Sequence, residues 1–182
     1  MTKRMIAVVG AAVLALAGAP SQARTVEDPT GAMLPLVTSA ATVSYIQSAG
    51  QIDLFEIAAA KLALQRSKRA DVQAFAVEVA RAHQDAAARL QGELIGLEPT
   101  ISLPAQLDAE HQAGLAALER AGEADFDRLY IEGQVAAQHR ALKLHQAYVD
   151  GGDDSQIKTV ARGAAAMAAS HLEAAKTLSG RG

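Results

Sequence analysis

Between Asp71 and Leu90 the chain reads DVQAFAVEVARAHQDAAARL, and its apolar residues Val72, Phe75, Ala76, Val79, Ala86 and Leu90 recur at intervals of three and four. That spacing is one face of an α-helix, not the two-residue alternation of a half-buried strand. His83 falls in the same row, so a titratable side chain is expected where a core residue belongs. The composition points the same way. Half of the 182 residues are apolar, yet much of this is alanine, only 3% are aromatic and Trp is absent. Alanine is the best helix former and brings little volume, which favours closely packed helices. No run of alternating Val, Ile and Thr marks a strand. The expected class is all-α, in one domain long enough to have its own core.

The N-terminus has the layout of an export signal. Lys3 and Arg4 precede an apolar run from Met5 to Ala19, then Pro20 and Ser21-Gln22-Ala23, with small residues at −3 and −1 of a cut after Ala23. The run is short for a membrane span, and no later segment approaches about 18 consecutive apolar residues, so no integral span is expected after cleavage. The destination expected is the periplasm or the exterior. Removing Lys3 and Arg4 takes the formal charge from −3 to −3 − 2 = −5, which disfavours nucleic-acid backbones as partners. The chain has no cysteine, which rules out disulfides, thiolate metal sites, a lipid-bearing N-terminal Cys and thiol catalysis.

Downstream, residues 24–37 carry Pro29, Gly31 and Pro35 and are expected to form an irregular lead-in. A first helix follows from Thr38 or Ser39 to about Arg66, and a second spans about 70 to 96. Ser67 to Arg69 join them so briefly that the two must lie antiparallel. After EPTISLP comes a short amphipathic piece, about 105 to 121. Two more long helices, about 125 to 149 and about 155 to 178, meet at DGGDD. The linker of about 26 residues between the hairpins can cover some 25 Å at 1.5 Å per helical residue, most of a bundle's length. Two antiparallel hairpins with such a crossover, containing a short extra helix, are the connectivity of a ferritin-like four-helix bundle over residues 38–178. Gly50 within the first helix implies a close contact or a bend. Setting His83 on His171 also aligns Val72 with Val160, Ala76 with Ala164, Val79 with Met167 and Leu90 with Leu178, the pattern of a pseudo-twofold bundle.

The candidate chemistry lies on the seams. Ile157, Val160, Ala164, Met167, Ala174 and Leu178 form a row containing His171, and Ile131, Val135, Leu142 and Val149 form one containing Gln138 and His145. Glu56 has Ile52, Ala59 and Ala63 at helical spacing, while His139 falls with Glu132 and Lys143 on a wet face. Glu56, His83, Gln138 and His171 sit near mid-helix and can share one layer. Glu56, His83 and His171 are therefore candidate ligands of a single divalent metal ion, with Gln138 and His145 as neighbours. A lone seam histidine is also an ordinary hydrogen-bonded core residue, and Glu56 an ordinary buried partner for one. A di-iron carboxylate centre needs Glu-x-x-His on two helices, but the positions three before His83 and His171 are Ala80 and Ala168. No Gly-rich phosphate loop or HExxH is present.

The segments LFEIAAAKLALQRS, VQAFAVEVARAH, FDRLYIEGQVAAQHRALKLH and ASHLEAA resemble an uncharacterised bacterial family of exported ferritin-like bundles, a domain of unknown function whose members are often labelled outer membrane or secreted proteins. The resemblance covers about residues 38 to 178 and implies the bundle and the export. Against the family's pattern this chain keeps Glu56, His83, Tyr130 and His171. It departs at Ala82, where the family has Asp, at Gln138, where it has a third His, and at Ala166, where it has Pro. The family name implies no activity, and outer-membrane residence would require a barrel or lipid anchor that the residues do not supply. The expectation is an exported bundle that binds a metal ion or small ligand, or acts through protein contacts, without turnover. The alternatives are a mononuclear metalloenzyme or redox protein, and an envelope protein of structural or stress-related role whose histidines only pack.

Overall fold

A computed structural model of the protein describes residues 24–180 other than Asp28 and Leu36; the expected signal segment, 1–23, lies outside them. The elements in order are β1 (Thr25–Glu27), β2 (Met33–Pro35), α1 (Ala40–Arg66), α2 (Ala70–Glu93), α3 (Ala109–Arg120), α4 (Glu123–Gly151) and α5 (Ser155–Ser179). The expected irregular lead-in holds a small antiparallel hairpin, with Thr25 opposite Pro35 and Glu27 opposite Met33. Strands of three residues are too short to show alternation. Gly31 turns the chain between them at φ +86, a conformation that favours glycine.

Side-chain caps set three of the helix starts. Ser39 Oγ accepts from Thr42 N (3.1 Å), Asp108 Oδ1 from His111 N (2.9 Å), and Asp154 Oδ1 from Gln156 N and Ile157 N (both 2.9 Å). α1 packs on α2 and α4 on α5, while α2 against α5 and α1 against α4 close the ring. α1 and α4 run antiparallel: Thr42 at one end of the bundle bonds Tyr148 (2.5 Å), and at the other the Arg66 guanidinium lies 4.5 Å above the Phe126 ring.

The link between the hairpins climbs the whole length of α1. Thr38 N donates to Glu98 O (2.7 Å), Gln47 to Ser102 O (2.9 Å), Gln51 to Gln106 O (2.9 Å) and Arg66 to Leu118 O (2.7 Å). Gly50 makes the approach possible, since a Cβ there would lie 2.5 Å from Pro104 Cδ. The contact is with this crossover rather than with another bundle helix.

Buried positions follow a four-three rhythm. In α1 Thr42, Ile46, Ala49, Asp53, Glu56, Ala60 and Ala63 form such a row, flanked by buried Tyr45, Gly50 and Ala59, and in α4 Ile131, Gln134, Gln138, Ala141, His145 and Tyr148 do, with Phe126 and Tyr130 also buried, as in coiled-coil seams. Two seams sit differently from expectation. In α5 the buried row is Ile157, Ala161, Ala165, Ala168, His171, Leu172, Ala175 and Leu178. Val160, Ala164 and Met167 are half-buried flanks and Ala174 is exposed, so of the expected pairs His83/His171 and Leu90/Leu178 are buried on both sides, while Val72, Ala76 and Val79 lie on the buried row and their counterparts beside it. In α4, Val135, Leu142 and Val149 are likewise flanks.

The core has two apolar ends. One gathers Ala59, Val72, Phe75, Phe126, Tyr130 and Leu178; the other Tyr45, Ile46, Leu90, Leu97, Tyr148 and Ile157. Polar side chains fill the space between.

Candidate functional site

Each long helix contributes to that middle layer. Glu56, His83 and Gln138 are fully buried at 0% exposure, and His171 is 5% exposed, so all four face inward as expected. His145 is buried too, but it lies two turns beyond Gln138, about 10 Å along the helix. There its Nδ1 bonds Tyr45 Oη at 3.0 Å, and Tyr45 stacks on Tyr148. His145 thus belongs to the adjoining apolar end. His139 is exposed.

Asp53 was not among the expected residues. It is buried one turn before Glu56, and its Oδ1 accepts from His83 Nδ1 at 2.8 Å. A carboxylate only accepts, so His83 Nδ1 carries the proton of this contact and Nε2 is the ring nitrogen left to meet another group. Gln134 is the second addition: its Nε2 donates to Glu56 Oε2 at 2.6 Å. The signal for both was present in the four-three rows. In α1 the abundance of alanine on every side hid it.

The layer is under-satisfied. Among the described residues, Glu56 Oε1, His83 Nε2, Tyr130 Oη, Gln138 Oε1 and His171 Nδ1 are buried with no hydrogen-bond partner. Native interiors rarely leave such atoms unpaired, so a cluster of five is where a ligand or water is expected. Burial pushes the Asp53 and Glu56 carboxyls upward, and the His83 hydrogen bond pulls Asp53 partly back. Burial also holds His171 down to about 4, with nearby His83 adding to the effect, and His145 likewise down to about 4. Both are neutral at pH 7, and His171 Nδ1 has no partner within the protein.

The His83 and His171 rings are neighbours, tilted 42° to one another with centroids 5.6 Å apart. Two imidazoles sharing one ion at about 2.1 Å from each nitrogen, near a tetrahedral angle, have centroids about 5 Å apart. Glu56 does not join them: among the described residues no three His, Asp or Glu side chains converge as a metal-holding group. Glu56 lines a groove between α1, α3 and α4, whereas His171 lines one between α2 and α5. Residues of the polar layer therefore lie beneath two different faces of the bundle.

Fold and site together define an all-α helical bundle with a buried polar layer across its middle. The chain belongs to the family of domains of unknown function designated DUF4142, whose model matches residues 29–178. Among solved structures it is similar to the crystal structure of a DUF305 fragment from Deinococcus radiodurans, with a TM-score of 0.68 over 80% of this chain and 99% of that one. The two are 15% identical, so the likeness is one of fold alone. No curated protein matches the chain.

Proposed function

We propose that this is an exported, ferritin-like bundle that binds one divalent transition-metal ion at the His83–His171 pair and does so without turnover. The observation that carries the reading is the pair itself: two buried imidazole nitrogens without a hydrogen-bond partner, on rings whose centroids lie 5.6 Å apart. Asp53 behind His83 is the outer carboxylate that commonly orients a ligating histidine. The donor types suit Zn, Cu or Ni ions. Among the described residues no further His, Asp or Glu donors gather with the pair, and the α2/α5 groove at His171 leaves room for solvent to complete the coordination. The crossover along α1 supports the ferritin-like reading, and the N-terminal sequence supports the export. Among the described residues no helix is long and apolar enough to cross a membrane.

Metal content of untagged protein tests the site. After loading and desalting, one ion per chain is expected in the natural protein and none in His83→Ala or His171→Ala, each checked for helicity. No binding under any loading condition would overturn the reading. N-terminal sequencing of periplasmic protein tests the export, with Arg24 expected as the first residue; full-length protein confined to the cytoplasm would contradict it.

A further inference from the structure

The end of the core where α1 and α5 begin holds a second group of titratable side chains, which the metal reading does not use. The chain has neither Trp nor Cys and carries three tyrosines, so those phenols are the side chains most easily oxidised by one electron. Tyr45 and Tyr148 lie at this end as a stacked pair, with ring centroids 4.1 Å apart and planes 17° apart. Each has a proton acceptor. Tyr45 Oη lies 3.0 Å from His145 Nδ1. Burial pushes the Tyr45 phenol up and holds His145 down to about 4, so the phenol keeps its proton and donates to a neutral imidazole. Thr42 Oγ1 donates to Asp153 Oδ1 at 2.6 Å, which leaves its oxygen to accept from Tyr148 Oη at 2.5 Å. Tyr130 is the contrast: its Oη is buried with no hydrogen-bond partner. We propose that the Tyr45–Tyr148 stack is a redox site that gives one electron to a strong one-electron oxidant, with the Tyr45 hydroxyl proton passing to His145.

In that step the Tyr45 O–H bond breaks and an N–H bond forms at His145 Nδ1. The phenol becomes a neutral phenoxyl radical, the imidazole becomes an imidazolium, and the oxidant is reduced by the one electron. An oxidised phenol is a strong acid, so even an imidazole held down to about 4 is base enough to take its proton across the existing hydrogen bond. Tyr148 has its own route, in which Thr42 accepts its proton while the Thr42 proton passes to Asp153. Asp153 is exposed, and the Thr42 and Ser39 hydroxyls hold its carboxyl below the ordinary value, so it is an ionised acceptor in contact with water. Tyr148 is 7% exposed and brings an edge of the stack to the surface, within reach of an oxidant in solution. Asp150 and Asp153 are exposed at the same end, which draws a cationic oxidant there. At Tyr130 the loss of an electron would instead leave a buried cation with nowhere to send its proton, which is costly.

The test is flash oxidation of the whole protein with photogenerated ruthenium(III) tris(bipyridine), in the presence of a chelator, read by electron paramagnetic resonance. Working without metal keeps this result independent of the His83–His171 reading. A tyrosyl radical is expected in the natural protein, in full yield in Tyr130→Phe, and absent from Tyr45→Phe/Tyr148→Phe. In Tyr148→Phe the electron comes from Tyr45 alone. Its oxidation there is expected to be slower in heavy water, because the proton moves with the electron. Adding His145→Gln is expected to slow it by about 100-fold, as for the loss of a general base. Should a double variant fail to fold, Tyr130→Phe and the heavy-water comparison in Tyr148→Phe decide. The proposal is overturned if no tyrosyl radical forms, if Tyr130→Phe removes it, or if folded Tyr45→Phe/Tyr148→Phe keeps it. It is equally overturned if Tyr148→Phe is oxidised as fast in heavy water, or if folded Tyr148→Phe/His145→Gln is oxidised as fast as Tyr148→Phe.

Discussion

Asp53 Oδ1 lies 2.8 Å from His83 Nδ1, and this contact decides which imidazole nitrogen is available. Asp53→Asn keeps the size but loses the acceptor-only carboxylate, so His83 is no longer held in one tautomer. The expected result is a drop in metal affinity of about 10- to 100-fold, read by competition with a chromogenic chelator; unchanged affinity would remove Asp53 from the site. His145 supplies a pH test that does not involve the proposed ligands. Its folded value near 4 lies below the ordinary 6.5, so between those values the unfolded chain binds the extra proton. Its stabilisation is present above pH 6.5 and lost as pH falls through 4, by up to about 3 kcal/mol. Urea unfolding across pH 7 to 4 should show a flatter profile in His145→Gln than in the natural protein. The raised Asp53 and Glu56 carboxyls work in the opposite direction, losing stabilisation as pH rises, but both proteins carry them. Parallel profiles would mean His145 is not held neutral.

At the level of elements, two joints locate the helices. Gly50 admits the crossover, and Gly50→Ala places a Cβ 2.5 Å from Pro104. Overpacking costs about 1–3 kcal/mol against a helix-propensity gain of about 1, so chemical denaturation should show a net loss; a stabilised variant would mean the contact yields easily. Arg24 clamps the end of the bundle where α1 and α5 begin. Its guanidinium reaches Glu93 Oε2 and Asp154 Oδ2, both at 3.1 Å, and its backbone N–H reaches Gly96 O. Arg24→Ala should cost about 1–2 kcal/mol, seen as a lower melting temperature; an unchanged value would make the clamp incidental. Legibility differed between elements for a physical reason. The α2 row was readable because Val72, Phe75, Val79 and Leu90 contrast with polar neighbours. In α5 the run of alanines around Met167 offers no such contrast, and the seam could not be placed to within one residue. The same lack of contrast concealed Asp53 in α1, and three-residue strands in the lead-in carry no period to read.

Across the whole molecule, apolar packing at both ends of the bundle supports a middle layer whose polar atoms are incompletely paired. Such a layer costs stability, because each unsatisfied buried group carries a penalty of about 1–3 kcal/mol. The central claim is that the gap between His83 and His171 is shaped for an ion, and anomalous diffraction from crystals of zinc-loaded protein tests it most directly. The expected result is one strong peak within bonding distance of both His83 Nε2 and His171 Nδ1. A peak only at surface residues such as His111 or His139, or none in the layer, would contradict it.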